Sequence, residues 1–263
     1  MSESNKRNFI VHGSILAIAG ILVRIIGMLY RIPVVNIIGS EGNGIYGAAF
    51  NIYNIMLVLS SYGLPMAVSK LVSARFTKKR YKSAAKVLRC SLMVAVCTGG
   101  IAALLVFFGA SFIENVIYGG GLPGLAVPLR ILAPTIFLVA ILGVIRGFFQ
   151  GQSTMIPTAV SQILEQIVNA IVSIAAGYGM MKAFASLPDV AAYGAAGSTL
   201  GTAMGALTAV LFMGFLYAVY TPTFNRLKRK DRHTENQSTG QICKIIIYTC
   251  LLYTSDAADD LIG

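Results

Sequence analysis

The sequence has little charge and few of the residues on which enzymes usually rely for catalysis. Only 12% of its 263 residues are charged, there is no tryptophan, and there are two histidines. General acid–base chemistry needs a histidine or a pair of placed carboxylates, whereas His12 and His233 lie outside the apolar runs. Ordinary soluble domains carry about twice this charged fraction. Low charge therefore argues against a soluble domain, and we expect neither an enzyme nor a bound cofactor.

Cysteine is also scarce. The four cysteines, Cys90, Cys97, Cys243 and Cys250, have neither the paired spacing of a metal site nor the pattern of a secreted disulfide framework. We expect buried thiols and no metal site.

Long apolar runs dominate what remains, with 56% hydrophobic residues and a mean hydropathy of +0.73. A helix crosses a bilayer in about 20 apolar residues. We predict an all-α polytopic membrane protein with spans at 13–38, 44–72, 87–112, 125–149, 156–184 and 191–220. The six spans would form one transmembrane lobe at 13–220. Residues 1–12 would precede this lobe, 221–241 would form a basic linker, and 242–249 would begin a seventh helix.

Lysine and arginine concentrate in alternate connections. Basic residues cluster at Lys6 and Arg7, between Arg75 and Arg89, and between Arg226 and Arg232, whereas the first and third connections have none. By the positive-inside rule, this pattern places the N-terminus in the cytoplasm. Contact with anionic membrane lipids is expected. Nucleic-acid binding is not, because no aromatic platform accompanies the charge.

The first span contains two arginines on a stripe of small residues. At spacings of three and four, the stripe comprises Gly13, Ala17, Gly20, Arg24, Gly27 and Arg31. Because an arginine in hydrocarbon is costly, the stripe should face the bundle interior or a wet cavity. Two guanidiniums two turns apart suit an extended anion such as a pyrophosphate, so Arg24 and Arg31 are candidate substrate-binding residues. Alternatively, each pairs with a carboxylate or reaches an interface.

Two breaks are predicted around the second span. The glycine-rich stretch 39–47 indicates a tight external turn. Farther along, Gly63-Leu64-Pro65 predicts a kink or break near the cytoplasmic end. We predict that Gly63 and Pro65 form a hinge; the alternative is that they only shape packing.

The fifth span carries a polar stripe at spacings of four: Ser161, Glu165, Asn169 and Ser173. Glu165 is the only acid well inside a span, so it needs a partner. We expect it to pair with Arg24 or Arg31 in a gating or structural ion pair; proton or ion coupling is the alternative. Arg146, in the turn before this span, is a further candidate, although it can also extend to the interface. In the sixth span, Gly194, Gly197, Gly201 and Gly205 predict close helix packing.

Several separated motifs resemble one family. They are Arg24-Ile-Ile-Gly27 with Arg31, Gly44-Ile-Tyr-Gly47, Gly63-Leu-Pro-Met-Ala-Val-Ser-Lys70, and Arg146-Gly-Phe-Phe-Gln-Gly151 through Gln162-Ile-Leu-Glu-Gln166. With them, residues 13–220 resemble the stage V sporulation protein B and polysaccharide-biosynthesis proteins of the multidrug/oligosaccharidyl-lipid/polysaccharide (MOP) exporter superfamily. These are similar to MurJ-type lipid II flippases.

This resemblance implies about fourteen helices in two lobes, of which the chain would be the N-terminal one. It implies alternating access and movement of an undecaprenyl-pyrophosphate-linked oligosaccharide across the bacterial cytoplasmic membrane, serving the cell wall or sporulation. The first-helix arginines of such relatives line the cavity; Arg24 matches them directly and Arg31 with an offset of one residue. A multidrug exporter of the same superfamily is the alternative, followed by a membrane enzyme and a scaffold without transport.

The last residues depart from this pattern. Residues 250–263 have three acids directly after an apolar start. They look like a translated sequencing adapter joined to a truncated gene, so we expect a C-terminal lobe to be missing.

Overall fold

The computed structural model describes the backbone of residues 3–232 and 238–262 and the side chains of 14–232 and 238–253. This part of the chain is helical and contains no strand. The helices are α1 (Glu3–Ser61), α2 (Gly63–Thr77), α3 (Tyr81–Phe112), α4 (Ala126–Gly151), α5 (Ile156–Ala183), α6 (Val190–Lys230) and α7 (Thr239–Ile262), with a π-helical turn at Ile113–Ile117. The all-α prediction is confirmed.

Five helical stretches in the described part are long and apolar enough to cross a membrane. The first, Ser14–Thr77, is 64 residues long and contains both the first and the second predicted span. The remaining four correspond to the third to sixth predicted spans. The chain is therefore a multi-pass membrane protein.

The turn predicted at 39–47 is confined to Gly39, where two helical segments of α1 meet at a kink. The chain stays helical there, apart from Gly39, which has φ 71° and ψ −176°. A glycine adopts positive φ without the steric cost that a side chain would bring. One residue therefore changes the direction of α1, and residues 40–47 remain available for helical hydrogen bonds.

The predicted break at Gly63-Leu64-Pro65 lies where expected. Helix α1 ends at Ser61 and α2 begins at Gly63. Between them, the Tyr62 N–H donates to the Leu57 carbonyl at 3.1 Å, five residues back rather than four. Pro65 has no N–H to continue the ladder. A role for Gly63 and Pro65 as a hinge remains a prediction.

Helix α2 lies directly on a row of glycines in α4. A Cβ added at Gly147 would come within 2.6 Å of the Pro65 carbonyl oxygen, and one at Gly151 within 2.8 Å of the Ser69 carbonyl oxygen. Gly143 would meet the Pro65 ring at 3.0 Å. Only glycine allows the two helices to approach so closely, and we call this contact the α2/α4 seam.

The glycine face of α6 packs on α5, as the sequence predicts. A Cβ at Gly205 would lie 2.6 Å from the Glu165 carbonyl oxygen, and one at Gly201 would meet Asn169 and Ser173. The polar stripe of α5 therefore borders this tight contact.

The basic connections meet at one end of the bundle. The Lys82 N–H, in the first turn of α3, donates to the Asp231 carboxylate at 2.9 Å just beyond α6. Helix α6 continues to Lys230, so the first ten residues of the predicted linker 221–241 are helical; residues 233–237 lie outside the described part. A long helix is compatible with the basic sequence because cations stabilise its C-terminal turn.

Helix α7 does not stop at residue 249, where the sequence predicts the natural segment to end. Its backbone is helical to Ile262, and the Lys70 ammonium lies 5.8 Å from the centre of the Tyr253 ring. The side chains of residues 254–263 lie outside the described part. An adapter origin for residues 250–263 remains a prediction.

Candidate functional site

Helices α1 and α5 run side by side in the same direction. A Cβ at Gly27 would lie 3.1 Å from Nε2 of Gln166. One turn farther along both helices, Asn169 Nδ2 donates to the Tyr30 hydroxyl at 3.3 Å. Since the partners advance together by three residues, the helices are parallel here, and Arg24 lies at the level of Gln162 and Ile163.

Arg24 and Arg31 lie on the surface of this lobe, not inside it. Both are exposed, and so are their apolar neighbours Ile25, Met28 and Ile32. Neither arginine forms an ion pair or hydrogen bond with the described residues. The stripe is not buried among these helices, because Gly27 makes the contact with α5 and the longer side chains extend past it. That the stripe faces a wet cavity remains a prediction.

Glu165 pairs with Arg146, and the expected pairing with Arg24 or Arg31 is wrong. Arg146 Nη2 lies 2.7 Å from Glu165 Oε2, and the two side chains are 14% and 26% exposed. Arg146 Nε also donates to the Ser161 hydroxyl at 2.9 Å. This hydroxyl in turn donates to the Thr158 carbonyl at 2.8 Å. Arg146 is therefore held inside the lobe by two residues of the α5 stripe rather than extended to the interface.

The other half of the polar stripe joins α5 to α6. The Ser173 hydroxyl is 2.9 Å from Asn169 Oδ1 and 2.8 Å from the Ser198 carbonyl. Thr202 also donates to Asn169 Oδ1, at 3.4 Å. Asn169 is 8% exposed, and both ends of its amide form hydrogen bonds. The oxygen accepts from Ser173 and Thr202, and the nitrogen donates to the Tyr30 hydroxyl. Buried polar groups that satisfy one another fix a single helix register.

A cavity of about 240 Å³ opens beside the ion pair, between the α1/α2 break, α4 and α5. Its lining residues are Leu57, Ser61, Tyr62, Pro65, Val139, Gly143, Arg146, Gln150, Thr158 and Gln162. The predicted hinge, the ion pair and the first turns of α5 therefore meet at one place. The described residues contain no group of three or more histidine, cysteine or acidic side chains that could hold a metal ion.

Comparison with known proteins gives the family. The profile of the polysaccharide biosynthesis protein family matches residues 10–253. The chain belongs to this family.

Two curated members from Bacillus subtilis (strain 168) are similar along much of the chain. Lipid II flippase MurJ is 34% identical over 176 residues, which are 65% of this chain and 32% of MurJ. Stage V sporulation protein B is 31% identical over 209 residues, 79% of this chain and 39% of that protein. The chain thus spans less than half the length of either relative.

The fold is that of MOP-superfamily transporters. A multidrug resistance MATE family transporter of this superfamily, in its outward-facing conformation, superposes with a TM-score of 0.67 at 17% identity. The match covers 90% of this chain and 51% of that one. The predicted six-helix lobe of a MOP-type transporter is confirmed as a fold.

Three tyrosines extend the polar contacts of this family member beyond the predicted residues. The Tyr46 hydroxyl interacts with the Tyr30 hydroxyl and with the Arg31 charge, while Tyr53 lies within electrostatic reach of Glu165. Tyr46 and Tyr53 are buried and lie seven residues apart, on one face of α1. This spacing of seven residues is the feature of the sequence that could have identified the two tyrosines. Of the three, Tyr30 contacts the α5 stripe directly, through Asn169.

Proposed function

We propose that this lobe belongs to a flippase that moves an undecaprenyl-pyrophosphate-linked oligosaccharide, such as lipid II, across the bacterial cytoplasmic membrane. One observation supports this most: Arg24 and Arg31 are exposed on one face of α1, and no described carboxylate neutralises them. A transporter of the family would use this cationic face to hold a diphosphate.

The charge balance of the lobe favours an anionic substrate. Its one acid deep in a span, Glu165, is already paired with Arg146. The face of α1 is left with two guanidiniums beside Ile25, Met28 and other exposed apolar side chains. An amphiphile with an anionic head and a prenyl tail matches both features, because the head meets the arginines while the tail remains in hydrocarbon.

The proposal includes a second, C-terminal lobe facing Arg24 and Arg31, so that the arginines line a cavity between lobes. Alternating access would bend the lobe at Gly63 and Pro65. The N-terminus would be cytoplasmic, and the contact between Lys82 and Asp231 supports this topology because it brings the two most basic connections to the same end. The protein would act as a transporter and not as an enzyme.

A multidrug or cation antiporter is the second candidate, favoured by the similarity to a multidrug resistance transporter. At 17% identity this similarity concerns the fold. A cation pump needs a carboxylate free to bind its substrate, whereas Glu165 is engaged by Arg146. Cation export would therefore require breaking that pair.

The test uses two variants of Arg24 in the two-lobed protein reconstituted in vesicles. Losing a charge-assisted hydrogen bond to the diphosphate should slow flipping of a prenyl-pyrophosphate sugar about tenfold or more in Arg24→Gln, and less in Arg24→Lys. The measured quantity is the rate at which the labelled lipid becomes accessible to an impermeant reagent outside the vesicle.

An exposed arginine on a different helix provides the control. Arg130→Gln removes an equal charge from α4, where the side chain contacts Ser111. This variant should flip the labelled lipid at the same rate as the parent protein. Equal rates for the parent and Arg24→Gln would contradict the flippase proposal. Export of a cationic dye that depends on Glu165 would favour the antiporter.

A further inference from the structure

The cavity beside the ion pair contains polar groups that no described part of the protein satisfies. Gln150 and Gln162 line it and their carboxamides form no hydrogen bond with the described residues. Arg146 uses Nε for Ser161 and Nη2 for Glu165, which leaves Nη1 without a partner there. Several donors and acceptors from two helices therefore converge on one space.

Thr158 is the most informative of these residues. It is fully buried, lines the cavity, and its hydroxyl has no hydrogen-bond partner in the described part of the chain. Other helical threonines, such as Thr98 and Thr208, donate to the carbonyl four residues earlier. Residue 154 precedes the start of α5 at Ile156, so Thr158 lacks this option. A buried hydroxyl without a partner is costly unless a ligand or water binds it.

The chemistry of the cavity suits an uncharged polyhydroxylated ring. Carboxamides and hydroxyls both donate and accept, as sugar hydroxyls and acetamido groups require. Arg146, the charged residue of the lining, is paired with Glu165, so the cavity offers neither a free anion for a cation nor an unpaired cation for a phosphate. Its volume of about 240 Å³ is below the ~300 Å³ of the smallest drug-sized pockets. It therefore has room for one ring rather than a chain of rings.

The level of the cavity relative to Arg24 follows from the register of α1 and α5. Thr158, Gln162 and Gln166 follow each other at spacings of four and so share one face of α5. Gln166 faces Gly27 of α1. One turn toward the N-termini, Gln162 is level with Arg24. Arg24 and the amide cavity therefore lie at the same level along these two helices.

We propose that this cavity is a subsite for the sugar directly attached to the pyrophosphate, with Thr158, Gln162 and Gln150 as its hydrogen-bonding residues. The proposal rests on the flippase function proposed above, since it assigns the first sugar of that substrate to a site of its own. Tyr62, exposed at the rim, offers an aromatic face to the same ring.

The experiment is a binding competition read by native mass spectrometry of the two-lobed protein. Equal amounts of undecaprenyl pyrophosphate and of the same lipid carrying one N-acetylhexosamine are offered together. The ratio of the two bound masses isolates the contribution of the sugar, because both lipids share the diphosphate and the tail. The parent should prefer the sugar-bearing lipid about tenfold, from two or more hydrogen bonds of ordinary strength.

Two nearly isosteric variants test the subsite. Thr158→Val and Gln162→Met keep side-chain size, and each should lower the preference by about 2- to 12-fold, the value of one neutral hydrogen bond. Thr158→Val should fold at least as well as the parent because the deleted hydroxyl has no protein partner. Ser91→Ala is the matched control: it deletes another fully buried hydroxyl without a partner, on α3, away from the cavity.

The outcomes separate the two proposals. A preference that falls in both variants but not in Ser91→Ala supports the sugar subsite. An unchanged preference in Thr158→Val and Gln162→Met overturns it and leaves the cavity as a water site, while weaker binding of both lipids by Arg24→Gln still supports the flippase. Failure of the parent to bind either lipid overturns the flippase proposal and the subsite with it.

Discussion

Breaking the Arg146–Glu165 pair should destabilise the lobe, whereas removing both charges should not. The pair is short, at 2.7 Å, and its side chains are 14% and 26% exposed. Deleting one partner of a buried pair costs about 3–5 kcal/mol. Partial exposure lets water reach the remaining charge, so we expect about 2–3 kcal/mol for Glu165→Gln or Arg146→Met.

The double variant is the informative one. Replacing a buried ion pair by uncharged groups of similar size is often neutral, so Arg146→Met with Glu165→Gln should cost at most about 1–2 kcal/mol, the remainder being the lost contact of Arg146 with Ser161. The coupling free energy from the four proteins should therefore be at least about 2 kcal/mol and favourable. It is measured as the free energy of unfolding in denaturant titrations of the detergent-solubilised protein.

A matched substitution controls for the loss of an arginine as such. Arg24 has no partner in the described part of the lobe, so Arg24→Gln should change the free energy of unfolding by less than about 0.5 kcal/mol. Additive effects of the two single variants, or losses no larger than that of Arg24→Gln, would refute the reasoning.

The remaining predictions concern stability. Glu114 caps the start of α4 by accepting from the N–H groups of Gly124 and Ala126 at 3.0 and 2.7 Å; Glu114→Ala should cost about 1–2 kcal/mol, and an equal free energy of unfolding would exclude this cap. Gly201→Ala would press on α5 and should cost about 1–3 kcal/mol. Gly214→Ala, on the same helix with open space around it, should be neutral or stabilising by up to about 1 kcal/mol; a similar loss in both would show that the contact with α5 is not the cause.

Features that depend on a single helix could be predicted from the sequence. The glycines of α6 face α5 because spacings of three and four define one side of any helix, and the break at Gly63 follows from proline chemistry. The length of the turn within 39–47 could not be predicted, because glycine content does not distinguish a loop from a kink. Helical hydrogen bonding continued there, and a single positive φ at Gly39 was enough.

The partner of Glu165 depends on how two helices are aligned, which the pattern of one helix does not contain. Arg24 and Arg31 are the partners that the sequence suggests because they are arginines within a predicted span. The helical hairpin formed by α4 and α5 predicts a different partner. Arg146 lies five residues before Gly151, where α4 ends, and Ser161 lies five residues after Ile156, where α5 begins. Their contact therefore follows from the short turn, and Glu165 is one helical turn beyond Ser161.

The α2/α4 seam has a mechanical consequence. With no side chain between the two backbones at Gly147 and Gly151, α2 cannot slide along α4 or roll over it without losing the contact altogether. The two helices then form one lever, and its joint to α1 is the step at Tyr62. Helix α7 presses on this joint, because a Cβ at Gly63 would meet the carbonyl group of Cys250. The hinge predicted at Gly63 and Pro65 would therefore receive directly any force that displaces α7.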